Sequence, residues 1–344
     1  MDGLTAAVHA VVPSGIDDPT RPSGGNRYDR RVLDALTGLG WAVHERAIPG
    51  SWPQPSPSDL AGLDRLLRAL PDGSTVLVDG LIASAAAGVL VPATARRRVI
   101  VLLHMPLGSA GERRLLHRCA AVVTSSRWVG DRLRAGGLAP ERLIVAEPGV
   151  DPADRAAGSV SGGRLLAVAV LAPHKGQDLL IAALHRLTDL EWTCTVAGSP
   201  AAAPGFAARL RVDAGGLGDR IRLVGPLAGP DLDRAYGSAD LLVHPSRAET
   251  YGMVITEALA RGIPVVATDV GGIPGALGRD ASGARPGCLV APDDEVALAR
   301  AVRDWLTDPG LRAGWRRAAA DRRTALTGWS TTADLLAGAL AGAR

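Results

Sequence analysis

Residues 244–274 read His-Pro-Ser-Arg-Ala-Glu-Thr-Tyr-Gly-Met-Val-Ile-Thr-Glu-Ala-Leu-Ala-Arg-Gly-Ile-Pro-Val-Val-Ala-Thr-Asp-Val-Gly-Gly-Ile-Pro. The apolar run 239–243 predicts a strand that ends at His244 and Pro245. A loop follows, and a helical pattern opens near Gly252 and covers 253–261. Ile263-Pro264 then leads into a β-branched run at 264–267. Strand, loop, helix and strand in this order predict a parallel βαβ unit.

The same alternation extends in both directions. Strands are predicted at 4–12, 41–48, 75–79, 98–103, 120–124 and 142–146, then at 164–170, 192–197, 220–224, 239–243, 264–267 and 288–290. Helical patterns at 26–38, 59–70, 176–187, 204–214, 230–238, 253–261 and 293–306 lie between them. Such alternation predicts parallel sheets with helices on both faces, an α/β class of two Rossmann-like domains. The expected division is 1–155 for the first domain and 156–308 for the second, with a helical tail over 309–344 that belongs to neither series cleanly. Two segments exceed what a connection needs, 13–25 and the proline-rich 49–58 around Trp52.

Composition narrows the function. A chain of 344 residues, 47% of them hydrophobic, can fill two cores. A net charge of +3 gives no duplex-binding face, and 3% aromatic residues give no stacking platform for single strands. Cys119, Cys194 and Cys288 lack metal or redox spacing and read as reduced core thiols. No apolar run reaches membrane-span length and the N-terminus has no basic leader, so the protein is expected in the cytoplasm. Of 38 basic residues a single one, Lys175, is lysine.

In 244–274, Glu249 falls on the loop and Glu257 on the first turns of the helix. The amides of Gly252, Met253 and Val254 form a helix start, which favours a diphosphate. Carboxylates accept strongly from sugar and ribose hydroxyls. A ligand with phosphate in the middle and hydroxyls at both ends is a nucleotide sugar. Here the chain resembles the retaining GT-B glycosyltransferases, most closely glycosyltransferase family 4, over nearly its whole length. The resemblance implies two Rossmann-like domains facing a central cleft, with the helices of 309–344 crossing back to the first domain. It implies that Glu249 contacts the transferred sugar, that Glu257 holds the ribose, and that Tyr251, Gly252, Met253 and Val254 line the donor.

Lys175, in Ala-Pro-His-Lys-Gly at 172–176, corresponds to the family's phosphate-binding lysine and would neutralise the leaving diphosphate. The family's accompanying arginine is replaced by Val170. Gly24 and Gly25 match a Gly-Gly that approaches the donor from the first domain. His104, ending the apolar run 99–103, matches a histidine beside the transferred sugar. Gly198 and Val224 stand at strand exits expected to line the base pocket. His244 reads as structural.

Asp231 and Asp233 match Asp-x-Asp but open a helix, so they read as structural and no metal is expected. The run 96–98, three arginines, reads as a solvated face, with contact to an anionic membrane or lipid-linked acceptor as the alternative. No Gly-x-Gly-x-x-Gly is present, which argues against a nicotinamide enzyme. The expectation is a hexosyltransferase that needs no cofactor beyond its nucleotide-sugar co-substrate and takes a small-molecule or lipid acceptor. A sugar-nucleotide epimerase of the same fold and a degenerate, non-catalytic binder stay open.

Overall fold

The computed structural model describes residues 6–18 and 23–342. The chain divides into two units, each with its own parallel sheet. In chain order, unit 1 contains β1 (Ala7–Pro13), α1 (Gly24–Gly38), β2 (Ala42–Ile48), α2 (Pro57–Ala69), β3 (Thr75–Asp79), α3 (Gly80–Ala85), α4 (Ala87–Ala93), β4 (Arg98–Leu103), α5 (Ala110–Leu116), β5 (Ala121–Thr124), α6 (Arg127–Ala135) and β6 (Leu143–Val145). Its strand order is β2-β1-β3-β4-β5-β6.

Side chains on these strands alternate between two buried faces, as the period of 2 requires. Val76 and Val78 of β3 join Val99, Val101 and Leu103 of β4 on one face. Leu77, Ile100 and Leu102 fill the other, against Val32, Leu33 and Leu36 of α1. Helix α2 starts where Ser56 and Asp59 form a capping box around Pro57, the first helical residue.

Unit 2 contains β7 (Arg164–Val168), α7 (Gln177–His185), β8 (Thr193–Ala197), α8 (Pro204–Gly215), β9 (Ile221–Gly225), α9 (Gly229–Gly237), β10 (Leu241–His244), α10 (Met253–Ala260), β11 (Val265–Thr268), α11 (Ile273–Leu277), β12 (Gly287–Val290), α12 (Glu295–Thr307) and α13 (Pro309–Thr324). The strand order is β12-β11-β10-β7-β8-β9. Read from β9, that is the dinucleotide-binding order, with its reversal between β7 and β10. In unit 1 the reversal falls between β1 and β3.

The unit boundaries differ from the expected ones. The chain leaves unit 1 after Gly149 and returns at Gly328, not at 155 and 309. Helix α13 stays with unit 2 because Ala319 packs into the core beneath α10, and Arg323 donates to the carbonyls of Ala260 and Ala153. Only α14 (Trp329–Gly342) joins unit 1, where Leu336 and Leu340 enter the core. Arg98 donates to the carbonyls of Leu340 (2.6 Å) and Ala339 (3.1 Å).

The arginine run is also corrected by these bonds. Arg97 is buried and donates to the Leu70 carbonyl at 2.5 Å. Arg96 alone is exposed, paired with Asp72 at 2.7 Å. The run serves packing more than it serves a basic face. Cys119 and Cys194 are buried free thiols, pushed up to about 12 by burial, and Cys288 is half-buried and also free.

Candidate functional site

In doubly wound sheets, ligands bind beyond the carboxyl ends of the strands where the strand order reverses. In unit 2 these are the exits of β7 and β10. Beyond β7 a turn over Pro173–Lys175 precedes α7, and Gly176 between them has φ 70°. A Cβ at Gly176 would lie 2.0 Å from the Pro245 carbonyl oxygen. Only glycine therefore lets the β7 turn and the loop after β10 touch. Ser246 Oγ and the Arg247 amide donate to the His174 carbonyl at 3.1 and 2.8 Å.

The same loop is held from its other side by Gly271 and Gly272. Cβ atoms there would lie 1.7 Å from the Glu249 carbonyl oxygen and 2.1 Å from that of Thr250. The Gly272 amide donates to the Glu249 carbonyl at 3.1 Å. Gly176, Gly271 and Gly272, from two distant places in the sequence, thus fix where Glu249 stands.

Glu249 and Lys175 meet there, with Nζ 2.7 Å from Oε2. His244, buried at the end of β10, places Nε2 at 3.3 Å from the same oxygen. The Thr250 amide donates to Oε1 at 3.1 Å. Burial alone would raise the pKa of Glu249. The hydrogen bond from His244 and the charge of Lys175 outweigh burial and hold the carboxyl well below the usual carboxylate range. His244, read from the sequence as structural, thus contacts Glu249, the residue expected to hold the transferred sugar. The signal available in the sequence was its place at a strand exit, shared with His104.

Tyr251 is half-buried, and Gly252 caps α10 in the left-handed region at φ 96°. The helix opens with the amides of Met253 and Val254. Glu257 is buried one turn further on, where Tyr236 Oη donates to its Oε2 at 2.8 Å.

Gly198 follows β8 and approaches the β7 exit so closely that a Cβ would lie 1.8 Å from the Ala169 carbonyl oxygen. Its amide donates to the Gly225 carbonyl at 2.8 Å. Ala197 pairs with Gly225 where Val196 pairs with Leu223, so Val224 is the extra residue of a bulge and is exposed.

Val170 lies beyond the end of β7, and its carbonyl accepts from Gln177 Nε2 at 2.9 Å. Arg247, on the loop after β10, is already engaged. Its guanidinium is bidentate to Asp178 at 2.8 Å, and it also binds Asp293 and the Pro173 carbonyl. Asp231 pairs with Arg234 and Asp233 with Arg261, in keeping with their reading as parts of a helix start.

Unit 1 has its own cluster at its own reversal. Gly24 and Gly25 are the first residues of α1, one exposed and one half-buried. His104 follows β4, with Nε2 2.6 Å from Asp29 Oδ1. Asp79 ends β3 and caps α3, accepting from the amides of Leu81 (2.9 Å) and Ile82 (3.2 Å). The polar atoms of Asp29, Asp79 and His104 all lie within 4.8 Å of one another. That spacing would admit an ion. Sequence reading found His104 and missed both aspartates.

Residues 160–322 match the family model described as Glycosyl transferases group 1. The chain is 35% identical over 253 residues to D-inositol 3-phosphate glycosyltransferase 1 of Catenulispora acidiphila, a match covering 67% of this chain and 59% of that protein. It is 32% identical over 246 residues to the D-inositol 3-phosphate glycosyltransferase of Mycobacteroides abscessus, covering 67% and 53%. The matches thus span between half and three fifths of these curated relatives. Among solved structures, sucrose-phosphate synthase of Thermosynechococcus elongatus aligns with a TM-score of 0.76 at 20% identity, over 96% of this chain and 97% of that one. HepE of Anabaena in complex with UDP-glucose aligns with a TM-score of 0.76 at 20% identity, over 98% and 99%. The fold is that of the GT-B glycosyltransferases.

Proposed function

We propose that the protein is a retaining hexosyltransferase of glycosyltransferase family 4, moving a sugar from a nucleotide diphosphate to an acceptor hydroxyl. The observation that carries this reading is the Lys175–Glu249 pair beside the opening of α10, at the reversal point of unit 2. An ammonium has three donors, and Glu249 engages one. The others are available to the diphosphate, whose charge grows as the glycosidic bond breaks. Glu249, kept ionised, accepts from hydroxyls of the transferred sugar, and Glu257 from the ribose. The acceptor hydroxyl attacks on the leaving-group face, and the donor phosphate takes its proton.

In this reading Lys175 and the helix amides do the work that a metal does elsewhere, so transfer should survive chelation. Among the described residues no helix is long and apolar enough to cross a membrane. The reading places the protein in the cytoplasm with its nucleotide substrate. The relatives' names make D-inositol 3-phosphate the first acceptor to try, and the HepE complex makes UDP-glucose the first donor.

A thermal-shift panel of UDP-, GDP- and ADP-sugars tests the reading, because a ligand of the native state raises Tm by mass action. One nucleotide sugar should stabilise, and in EDTA it should be turned over with retention at the anomeric carbon. Silence across the panel sinks the reading. Binding without turnover favours the degenerate binder, the alternative that Val170 supports.

A further inference from the structure

The cluster in unit 1 has a specific construction. Asp29 lies on the buried face of α1 with Tyr28, Val32, Leu33 and Leu36. It is 2% exposed and Asp79 is 5% exposed, while 16% of the His104 side chain stays open. Gly80 brings two of the three together. A Cβ there would lie 2.8 Å from the Leu102 carbonyl oxygen and 3.3 Å from the His104 amide. Tyr28 stands edge-on to the imidazole, with centroids 5.0 Å apart, and is itself anchored to the Ala146 carbonyl at 2.7 Å. The loop after His104 is tied down by Glu112, which accepts from the amides of Leu107 and Gly108.

Two buried carboxyl groups side by side cannot both ionise cheaply. Burial, then the charge of Asp29, pushes Asp79 up to about 7, and Asp79 hydrogen-bonds Asp29. Burial opposes a charge on His104, but Asp29 and then Asp79 outweigh it and raise its pKa. No lysine or arginine contributes to either effect.

We propose that Asp29, Asp79 and His104 work as one proton-sharing triad: Asp79 keeps a proton and donates it to Asp29, Asp29 accepts Nε2–H of His104, and the ring, held as imidazolium, presents Nδ1–H to a substrate oxygen. Among the described residues Nδ1 has no other partner. The arrangement is neutral overall, which suits a dry site. Asp29 and Asp79 are positioning residues that act through His104. The substrate role rests on the glycosyltransferase reading; the proton arrangement does not.

Ring-nitrogen NMR on the full-length, substrate-free protein tests the arrangement, with His104→Gln assigning the signal. Both ring nitrogens of His104 should stay protonated above pH 6.5, the ordinary histidine value. Asp29→Asn should move the loss of that proton to lower pH. Asp79→Asn should do so to a smaller extent, and it carries the test should Asp29→Asn fail to fold. A neutral ring in the wild type at pH 6.5 overturns the proposal. So does an EDTA-reversible rise in Tm on adding Zn²⁺ alone with loss of the imidazolium signal, which would mark a metal centre.

In transfer assays Asp29→Asn should lower kcat by about 10- to 100-fold with little change in donor KM. Added to His104→Gln it should cost nothing further, because both act through one ring. Multiplying losses would overturn the coupling. A wild type that transfers no sugar would sink the proposed function and leave the NMR result to decide the triad.

Discussion

The two units bury carboxylates at equivalent places and neutralise them in opposite ways. In unit 2, Glu249 sits beside an ammonium and an imidazole and is held ionised. In unit 1, Asp79 sits beside another carboxylate and is pushed up to about 7. The strand order reverses at both sites, so topology alone does not set the chemistry. The neighbour does: a cation keeps a carboxylate charged, whereas a second carboxylate makes the pair retain a proton. Two doubly wound sheets thus supply a fixed anion–cation pair in one unit and a proton-holding group in the other.

The sharpest way to break this comparison is to remove the cation. Lys175→Ala should lower turnover by about 100- to 1000-fold, and donor binding by far less, because the charge it meets develops in the transition state. Steady-state kinetics set against donor titration would show it. Near-normal turnover would mean that Lys175 only pairs with Glu249. Asp79→Asn should cost much less.

The second test concerns the glycines that bring each cluster together. Gly271→Ala places a Cβ against the Glu249 carbonyl at a residue with φ 56°, so about 3 kcal/mol or more of stability should be lost. Gly80→Ala meets the Leu102 carbonyl at 2.8 Å and should cost about 1–2 kcal/mol. Denaturant unfolding would rank the two. The reverse order would mean that the loop carrying Glu249 gives way more readily than the β3 exit.

The smallest effect is in the pH dependence, where the two clusters should differ in sign. Glu249 has a folded pKa below its ordinary 4.5, so its contribution is present above that value and lost as pH falls beneath it. Asp79 has a folded pKa raised from 3.8 to about 7. Between these values the folded state binds more protons than the unfolded state, so the stability of unit 1 should fall as pH rises. Hydrogen exchange resolved by unit would separate the trends, and Asp79→Asn should flatten the second. Equal slopes in the two units would remove the distinction.

Much of this organisation is legible in the sequence, and the exceptions have physical causes. The β-branched runs locate β3 and β4 at their observed bounds, because buried parallel strands are nearly continuous apolar segments. Helices α3, α4, α5 and α11 escape, since five to seven residues complete too few turns to show a period. Lys175 and Glu249 stand out through composition and motif, though nothing in their spacing of 74 residues tells that they touch. Asp29 is harder, because acidic residues abound on helices. It does lie on the apolar face of α1, where a charge needs a partner. Asp79 ends an apolar strand as His104 does, so the rule that found one could have found the other. The places of Arg97 and Arg98 are not legible, because a charge run says nothing of the carbonyls that meet it across the fold.

Helix α14 gives the chain an order of assembly. The body of unit 2 is one unbroken stretch, Val150–Thr327, whereas unit 1 needs Leu336 and Leu340 to complete a core begun at Val8. On a ribosome, the later-encoded unit can therefore mature before the earlier one is sealed. Until α14 emerges, the first unit lacks the side chains of Leu336 and Leu340 that its core needs.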